Sequence, residues 1–433
     1  MRRRFAVGLL VATLAPTARA QAEARAGVPP PSGALRLTEA IQSALSQGPR
    51  IGAAGARVRA AEGARRTARA LPNPLLTWQV ENGPHPGAAA PAAAARETST
   101  FATLPLGFLY QRGPQLRRAD DNLRLAEAEL AAARWLVVLD VTRAFGRVLA
   151  AQNAVAAAAG LREGLDELAR FNAARVAEGA TPEGELIRVR VERDRAFLEE
   201  ALAQTALASS WADLRPFVPS ATLPLPPVTL GGSAPAEVPP LPGLLAWSRA
   251  SQPDILAARA RVEASRAAAD FERRLLVRDV AASFGNKRVG GLNTMFANLS
   301  VSVPVFDRNR GEVARAEAER LAVEQELAWT ERRVAAQVEA AHEAAAVMVA
   351  RLAELPPDLL ERAEESRRIT SAAYREGAGS LLQVLDASRA LAELRQTYGR
   401  ALLAREQSLL ELRAATGGDP LEGMRTMLEG NER

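Results

Sequence analysis

The stretch of sequence that decides the fold is residues 298–305, NLSVSVPV. Leucine or valine occupies every second position, and asparagine, serine or proline lies between them. This alternation predicts a β-strand with one apolar and one polar face. Its predicted partner is Val280 to Gly285, so that a hairpin covers about residues 279–305. About nine residues per strand can cross a bilayer at a tilt, although the same alternation also fits a hairpin packed on a soluble domain.

A similar segment lies about two hundred residues earlier. Leu75 to Glu81 and Thr98 to Leu106 are predicted to form a hairpin over about residues 75–106, around a loop rich in proline, glycine and alanine. In the wall of a water-filled barrel, the apolar face of each strand meets lipid. The predicted lipid face of the two hairpins consists of Leu76, Trp78, Val80, Leu299, Val301 and Val303.

Four pairs of matching segments indicate that the chain is an internal duplication. In order, the pairs are 49–58 with 253–262, 104–106 with 303–305, 112–113 with 310–311, and 178–180 with 376–378. The offset changes only from 253 − 49 = 204 to 376 − 178 = 198. The predicted units are residues 35–215 and 244–416, separated by a proline-rich linker, residues 216–243, and followed by a tail, residues 417–433.

The first unit is predicted to contain the order helix, β-hairpin, long helix, return helix. A helix capped by Thr38 runs from residue 37 to about residue 71. After the hairpin, apolar residues at heptad spacing predict a helix from Gly113 to about Ala177. A return helix starts at Thr181-Pro182 and ends near Leu214. Placed end to end, the first and return helices equal the long one in length.

The second unit is predicted to repeat this order. Its return helix runs from Ser380 to about Thr416, and Pro356-Pro357 interrupts its long helix about twenty residues before the end. The predicted fold is therefore mostly α with a small β part, built from a duplicated helix, β-hairpin, long helix, helix unit.

The first twenty residues predict a secretory signal peptide. Basic residues at positions 2–4 precede an apolar run of about ten residues, and Ala18-Arg19-Ala20 fits a cleavage site. Residues 21–34 form a short leader. No later segment has the eighteen or more apolar residues of a membrane helix. We therefore expect an exported protein whose membrane span, if it has one, consists of strands.

Composition argues against several classes of protein. The chain has no cysteine and two histidines, His85 and His342, far apart in sequence, so that no tight transition-metal site is expected. Lys+Arg 55 nearly balances Asp+Glu 50, and aromatic residues make up only 4% of the chain, which argues against nucleic-acid binding. Motifs of nucleotide-binding loops, nucleophile elbows and zinc proteases are absent from the sequence, so that no enzyme is expected.

Four stretches of the sequence resemble one known family. They are residues 37–40 (LTEA), 71–74 (LPNP), 303–311 (VPVFDRNRG) and 374–387 (YREGAGSLLQVLDA). In this order and at these spacings the chain resembles the outer-membrane efflux protein family, the TolC-like duct proteins. The PNP turn and the PVFDRNRG run are most similar to the CzcC-type subgroup, which is associated with export of divalent heavy-metal cations.

The resemblance implies an assembly and a function. The family forms homotrimers in which four strands per subunit build one twelve-stranded outer-membrane β-barrel, continued by an α-helical coiled-coil barrel in the periplasm. It implies partners as well: a periplasmic adaptor (membrane fusion) protein, an inner-membrane RND-type pump and outer-membrane lipid. The expected function is a passive exit duct of a tripartite efflux system, with divalent heavy-metal cations as the candidate cargo.

The resemblance also implies where the periplasmic aperture lies. The turns between long and return helices are the expected adaptor contacts: Glu178, Gly179, Ala180, Thr181, Glu376, Gly377, Ala378, Gly379 and Ser380. Asp386 matches an aperture aspartate of the family, and Gln383 stands where the family has a second acid. The counterpart of Asp386 in the first unit is residue 386 − 198 = 188, Arg188. We expect a gate in which Asp386 pairs with nearby arginines: Arg175, Arg188, Arg190 and Arg375.

One other class of protein shares these features. A periplasmic adaptor, or a tethering coiled coil without a pore, would also have a signal peptide and long heptad helices. It would contain a single helical hairpin rather than two copies of the helix, β-hairpin, helix, helix order.

Overall fold

The computed structural model of the chain describes residues 35–81, 96–219, 228–229, 238–275, 277 and 279–418. The predicted signal peptide and leader, His85 in the first hairpin loop, and the tail after Gly418 lie outside the described residues.

The first repeat consists of short strands and of helices of very different length. Its elements are β1 (Leu35–Arg36), α1 (Leu37–Gln47), α2 (Pro49–Arg69), β2 (Leu75–Glu81), β3 (Glu97–Pro105), α3 (Phe108–Ala177) and α4 (Glu183–Leu214). A short 3₁₀ turn, Arg215–Phe217, follows α4.

The second repeat has the same order with one additional break. The linker contains β4 (Val228–Thr229), and the elements that follow are α5 (Leu241–Ser251), α6 (Pro253–Arg274), β5 (Val280–Val289), β6 (Leu292–Val301), α7 (Arg310–Ala353), α8 (Leu359–Arg375) and α9 (Leu381–Thr416). β4 pairs in parallel with β1, which links the linker to the start of the first repeat. The predicted fold class, mostly α with a duplicated helix, hairpin, long helix, helix order, is confirmed.

The helix before each hairpin is broken, whereas the sequence analysis took the first as continuous. α1 ends and α2 begins at Gly48-Pro49, and the second repeat breaks in the same way at Gln252-Pro253. Proline has no N–H to continue the preceding helix but fits the first helical position of the next one. Thr38 is not the N-cap, because α1 begins at Leu37; instead the backbone N–H of Arg36 donates to Glu39 Oε2 at 3.1 Å.

α3 is an unbroken helix of 70 residues, about 105 Å long. It begins at Phe108, five residues before the predicted start, and includes Pro114 in its second turn. Two of the three shorter helices of the repeat are joined to it by ion pairs. α2 contacts the first half through an ion pair of Arg50 with Asp140 at 2.9 Å, and α4 contacts the second half through Arg162 and Glu200 at 2.5 Å.

The second long helix is interrupted where the sequence predicts. α7 ends at Ala353 and α8 begins at Leu359, on either side of Pro356-Pro357. The return helix α9 continues without a break past this point. The second repeat therefore has a two-piece rod beside a one-piece return helix, whereas α3 of the first repeat is continuous.

The four long strands form one antiparallel sheet in the order β2-β3-β5-β6. The contact between β3 and β5 joins the two repeats, and it brings the backbones together where Phe101 lies opposite Gly285. A Cβ at Gly285 would lie 2.3 Å from the Cβ of Phe101, so that only glycine fits there.

The second hairpin is placed slightly differently from its prediction. β5 continues to Val289 rather than Gly285, because Gly290 and Gly291, with φ of 56° and 94°, form a two-residue turn of the kind that hairpins favour. β6 therefore begins earlier, at Leu292, and ends at Val301. Val303, assigned to the strand from its alternation, lies beyond the end of β6.

Candidate functional site

The two turns that join long helix to return helix have the same backbone geometry. Gly179 and Gly377 adopt the left-handed conformation, with φ of 73° and 79°. The N–H of Ala180 donates to Arg175 O, and the N–H of Ala378 to Ala373 O, both at 2.8 Å. These six-residue hydrogen bonds close a Schellman motif in each repeat. The predicted duplication of this turn is therefore present in three dimensions.

Most of the predicted adaptor-contact residues lie on the surface of the turns. Glu178, Gly179 and Ala180 are exposed in the first turn. In the second turn, Gly379 is half-buried and the others are exposed: Glu376, Gly377, Ala378 and Ser380. Thr181 is different, because it is only 9% exposed. It is also not the N-cap of α4, which is Pro182.

The two return helices begin with different caps. Ser380 Oγ accepts from the N–H of Gln383 at 3.4 Å, and Gln383 Oε1 accepts from the N–H of Ser380 at 3.1 Å. This is a capping box. In α4 the N-cap is Pro182, which has neither a hydroxyl nor an N–H. Gln383, predicted at the aperture, is thus part of the cap of α9. Its first-repeat counterpart, residue 383 − 198 = 185, has no such capping bond to make in α4.

That counterpart, Glu185, is part of a buried polar cluster between the repeats. The hydroxyl oxygen of Tyr374 on α8 lies 2.9 Å from Glu185 Oε2 and 2.5 Å from Asn172 Oδ1 on α3. The amide of Asn172 is oriented by its donation to Leu168 O at 3.0 Å. Tyr374 is 4% exposed and Asn172 fully buried. The single hydroxyl proton of Tyr374 can be donated to either of these two acceptors, and the cluster joins α8 to α3 and α4.

The ring of Tyr374 also lies among apolar and cationic neighbours. It meets Phe171 edge to face, with ring centroids 6.1 Å apart, and the Arg175 guanidinium carbon lies 5.8 Å from its centroid. Burial, and then the hydrogen bond to Glu185, raises the pKa of Tyr374 to about 12. The Tyr374 cluster, defined here as Tyr374, Asn172, Glu185, Phe171 and Arg175, was missed by the sequence analysis apart from Arg175. The sequence signal that could have pointed to this cluster is the tyrosine three residues before Gly377.

Within one copy of the chain, Asp386 does not contact the four predicted arginines. Its carboxylate is 62% exposed and lies 3.7 Å from Arg389 on the same helix. Arg389 itself bonds to Glu192 of α4, with Nε to Oε2 at 3.2 Å, and this pair was not foreseen. Arg375 instead pairs with Glu167 at 2.7 Å, and Arg175 stacks on aromatic rings. Arg188 and Arg190 are exposed and have no ion pair among the described residues.

The sheet separates apolar from polar side chains. Strand pairing places five of the six predicted lipid-facing residues on one face: Leu76, Trp78, Val80, Leu299 and Val301. The same face includes Phe284 and Met295, which are 59% and 72% exposed. The sixth, Val303, is exposed but follows the strand.

The opposite face of the sheet carries most of its charged and hydroxyl groups. Lys287 forms an ion pair with Glu97 on the neighbouring strand. The hydroxyls of Thr103 and Ser283 lie 2.8 Å apart, and Gln79 donates to Glu81 at 2.7 Å. One face is thus suited to hydrocarbon and the other to water.

The described residues contain neither a membrane-spanning helix nor a cluster of metal ligands. No helix there is both long enough and apolar enough to cross a membrane. Nor do the described residues contain three or more His, Asp or Glu side chains grouped to hold a metal ion.

Comparison with known proteins gives close agreement in fold. The chain is 28% identical over 414 residues to the cobalt-zinc-cadmium resistance protein CzcC of Cupriavidus metallidurans, covering 92% of this chain and 95% of that protein. It superposes on the outer-membrane channel OprN with a TM-score of 0.71 at 19% identity, covering 89% of this chain and 90% of OprN. For VceC of Vibrio cholerae the TM-score is 0.70 at 20% identity, covering 88% and 96%.

A family model matches the chain in two segments, residues 40–218 and 244–418. The model is that of the outer membrane efflux protein. Together the segments include both turns, the whole sheet and all helices from α2 onward except the start of α5. The family inferred from the sequence motifs is thereby confirmed: the chain belongs to the outer membrane efflux protein family.

Proposed function

We propose that three copies of this outer-membrane efflux channel enclose one duct, with a twelve-stranded barrel in the membrane and a helical tunnel in the periplasm. The observation that carries the proposal is the sheet. Among the described residues, β2 and β6 each have one edge without a partner strand. Unpaired strand edges are not tolerated in hydrocarbon, and four strands are too few to close a cylinder. Pairing β6 of one copy with β2 of the next satisfies every edge in a closed ring.

The distribution of side chains sets the direction in which the sheet curves. The face with Leu76, Trp78 and Leu299 points to lipid, and the face with Glu97, Lys287 and Ser283 lines the lumen. A lumen of this kind is filled with water, so that ions and small polar molecules pass without binding. No covalent step is needed, and we propose that the protein is a passive duct and not an enzyme.

The cargo and the partners are proposed from relatives. CzcC is named for resistance to cobalt, zinc and cadmium, and we propose divalent cations of this kind as cargo here. A duct does no work, so an inner-membrane RND-type pump must supply the energy. A periplasmic adaptor would bind the exposed turn residues around Gly179 and Gly377, where the backbone is fixed by the two Schellman motifs.

The gate is proposed to form between copies. Asp386, Arg188 and Arg190 are all exposed in one copy, and among the described residues the only ion pair of Asp386 is a 3.7 Å contact within its own helix. Around a three-fold axis, each exposed charge occurs three times. One exposed pair is worth about 0–1 kcal/mol, so that three or more pairs are needed to hold the mouth shut against thermal motion.

Conductance in planar bilayers tests both the pore and the gate. The wild-type protein is expected to give trimer-sized pores that are mostly closed, and Asp386→Ala and Arg188→Ala are expected to raise the open fraction. Arg332→Ala removes an exposed arginine on α7, far from the turns, and serves as the control. Absence of any pore from the wild type contradicts the duct, whereas closed behaviour unchanged in both aperture variants contradicts only the gate.

Growth of a deletion strain tests the cargo. We expect cobalt, zinc or cadmium to inhibit growth of a strain without this protein, and the wild-type chain to restore resistance. A strain that is equally resistant with and without the protein would contradict metal as the cargo while leaving the duct intact.

A further inference from the structure

The segment between β6 and α7, residues 302–309, exposes apolar side chains directly below the sheet. Phe306 is 100% exposed, Val303 71% and Val305 59%. These residues follow Val301, the last residue of β6, which lies on the apolar face of the sheet. Apolar side chains of a water-exposed turn usually fold back onto the nearest helix. Three exposed apolar side chains within four residues form a contiguous patch, of the kind that a partner outside the single copy can cover.

The conformation of this segment is held by a buried asparagine. Asn309 is 3% exposed and adopts a left-handed conformation, with φ of 58°. Its side-chain amide donates to Glu272 O at 2.8 Å, at the end of α6. Its backbone N–H donates to Asp307 Oδ1 at 2.9 Å. Because Asn309 fixes the segment to α6, the apolar residues before it are presented outward and cannot collapse onto the rod.

Arginines without carboxylate partners lie beside these apolar residues. Arg308 and Arg310 are exposed and have no ion pair among the described residues, and the same is true of Arg274 at the end of α6. The carboxylate of Asp307, in the same segment, accepts from the N–H of Asn309 through Oδ1, and among the described residues it forms no ion pair with these arginines. The segment therefore combines an apolar tip with a surplus of positive charge.

Hydrogen bonds join the segments through which the chain passes between helices and sheet in the two repeats, so that these segments lie side by side. In the first repeat, Arg112 Nη2 donates to Arg69 O at 3.1 Å, which joins the start of α3 to the end of α2. The hydroxyl of Tyr110 donates to Val277 O, which joins this segment to the second repeat. Both segments lie at the periplasmic end of the sheet, where the headgroups of a bilayer would lie.

We propose that residues 303–310 are a binding surface for anionic phospholipid of the periplasmic leaflet. Val303, Val305 and Phe306 enter the boundary of the acyl chains, and Arg308 and Arg310 contact the headgroup phosphate. Arginine suits this role because its planar guanidinium binds phosphate through two hydrogen bonds. The inference rests on the proposed function, because it requires that the sheet crosses a membrane.

Native mass spectrometry of the full-length protein in detergent tests the lipid surface. The probes are phosphatidylglycerol and phosphatidylcholine with identical acyl chains. We expect the wild type to retain phosphatidylglycerol preferentially. The double variant Arg308→Gln/Arg310→Gln is expected to lose retention by at least about fivefold, since one basic contact to an anionic surface contributes roughly that factor. Phe306→Ser is expected to weaken retention of both lipids alike.

The control removes the same charge from the rods. Arg134→Gln/Arg332→Gln replaces two exposed arginines without ion pairs in the described structure, and Arg332 lies about 33 Å along α7 from Arg310. This variant should retain phosphatidylglycerol as the wild type does. Equal retention by the Arg308→Gln/Arg310→Gln variant would overturn the proposal. So would full displacement of the lipid by inorganic phosphate, which would mean a simple anion site.

Failure of this inference can be told apart from failure of the duct. If the Arg308→Gln/Arg310→Gln variant forms normal pores in planar bilayers and still retains the anionic lipid, only the lipid surface is wrong. If the wild type forms no pores at all, the proposed function itself is wrong, whatever lipid it retains.

Discussion

In both repeats the same Gly turn joins the long helix to the return helix, but the residues after the turn differ in what they bind. In the second repeat, Ser380 and Gln383 cap α9 by exchanging two hydrogen bonds. In the first repeat, proline at position 182 offers no such exchange, and Glu185 turns instead to Tyr374 of the other repeat. The two repeats thus share the backbone geometry of the turn, while the third residue of the return helix is part of a local cap in one repeat and a link between repeats in the other.

This difference shows how a duplicated unit can become asymmetric without changing its fold. A single replacement at the N-cap releases the residue three positions later, because only a backbone N–H at the cap can engage it. The released carboxylate then needs another donor, and the Tyr374 hydroxyl provides it.

Tyr374→Ala should destabilise the protein by about 3–5 kcal/mol, the usual effect of deleting a buried aromatic ring. Its first-repeat counterpart is residue 374 − 198 = 176, Val176, which is half-buried. Val176→Ala should lower the free energy of unfolding by only about 1 kcal/mol. Thermal unfolding of the detergent-solubilised protein, followed by circular dichroism, measures both shifts. Equal shifts would mean that the two turns contribute equally and that the Tyr374 cluster has no special role.

The Tyr374 hydroxyl should make stability depend on alkaline pH. Its pKa is raised from 10 to about 12 in the folded protein, by burial and then by Glu185. A raised pKa contributes stability fully below about pH 10, and the contribution is lost as pH rises through about 12. Denaturant midpoints from pH 9 to pH 12 should therefore fall more steeply in the wild type than in Tyr374→Phe. Tyr398→Phe, the same change elsewhere on the second repeat, should behave as the wild type.

The caps should respond unequally to alanine. Ser380→Ala removes one partner of the capping box and should cost about 1 kcal/mol. Pro182→Ala removes no side-chain hydrogen bond and should change stability by less than about 0.5 kcal/mol. Denaturant midpoints of the two variants and of the wild type measure these two losses of stability. A Pro182→Ala effect as large as that of Ser380→Ala would show that proline has a capping role that its hydrogen bonds do not reveal.

Asp386 and its counterpart Arg188 should matter least for the stability of one copy. Both are exposed, and Asp386 lies 3.7 Å from Arg389, a long ion pair, so that either alanine variant should change the free energy of unfolding by less than about 0.5 kcal/mol. Arg389→Gln leaves Glu192, whose side chain is only 18% exposed, without its partner and should cost about 1 kcal/mol. An Asp386→Ala effect larger than that of Arg389→Gln would show that Asp386 is paired more strongly between copies than proposed.

The features that the sequence predicted well are those set by local patterns. Heptads of leucine and alanine predicted α3, alternation predicted the hairpins, and Pro356-Pro357 predicted the break between α7 and α8. The Gly290-Gly291 turn was equally readable, because two glycines between apolar runs favour a two-residue hairpin turn. The alternation alone predicts that β5 ends at Gly285 and β6 at Val305, whereas the strands end at Val289 and Val301.

The features that the sequence did not predict depend on how helices from different repeats are rotated against each other. Asp386 and Arg375 lie close in sequence to the turn, yet α9 directs Arg389, not Asp386, to Glu192 of α4. No local pattern specifies this rotation, since charged residues occur on several faces of both helices. Contacts such as Tyr374 to Glu185 are separated by 189 residues and become visible only in the folded chain.

The interruption at Pro356-Pro357 has a mechanical consequence. A continuous helix such as α3 resists bending along its whole length, whereas a rod in two pieces yields at the joint. Under a sideways force at the turns, we therefore expect α3 of the first repeat to bend little. The second repeat should bend at the joint between α7 and α8. Distance distributions between spin labels on α7 and α8 should therefore be broader than those between equally spaced labels on α3.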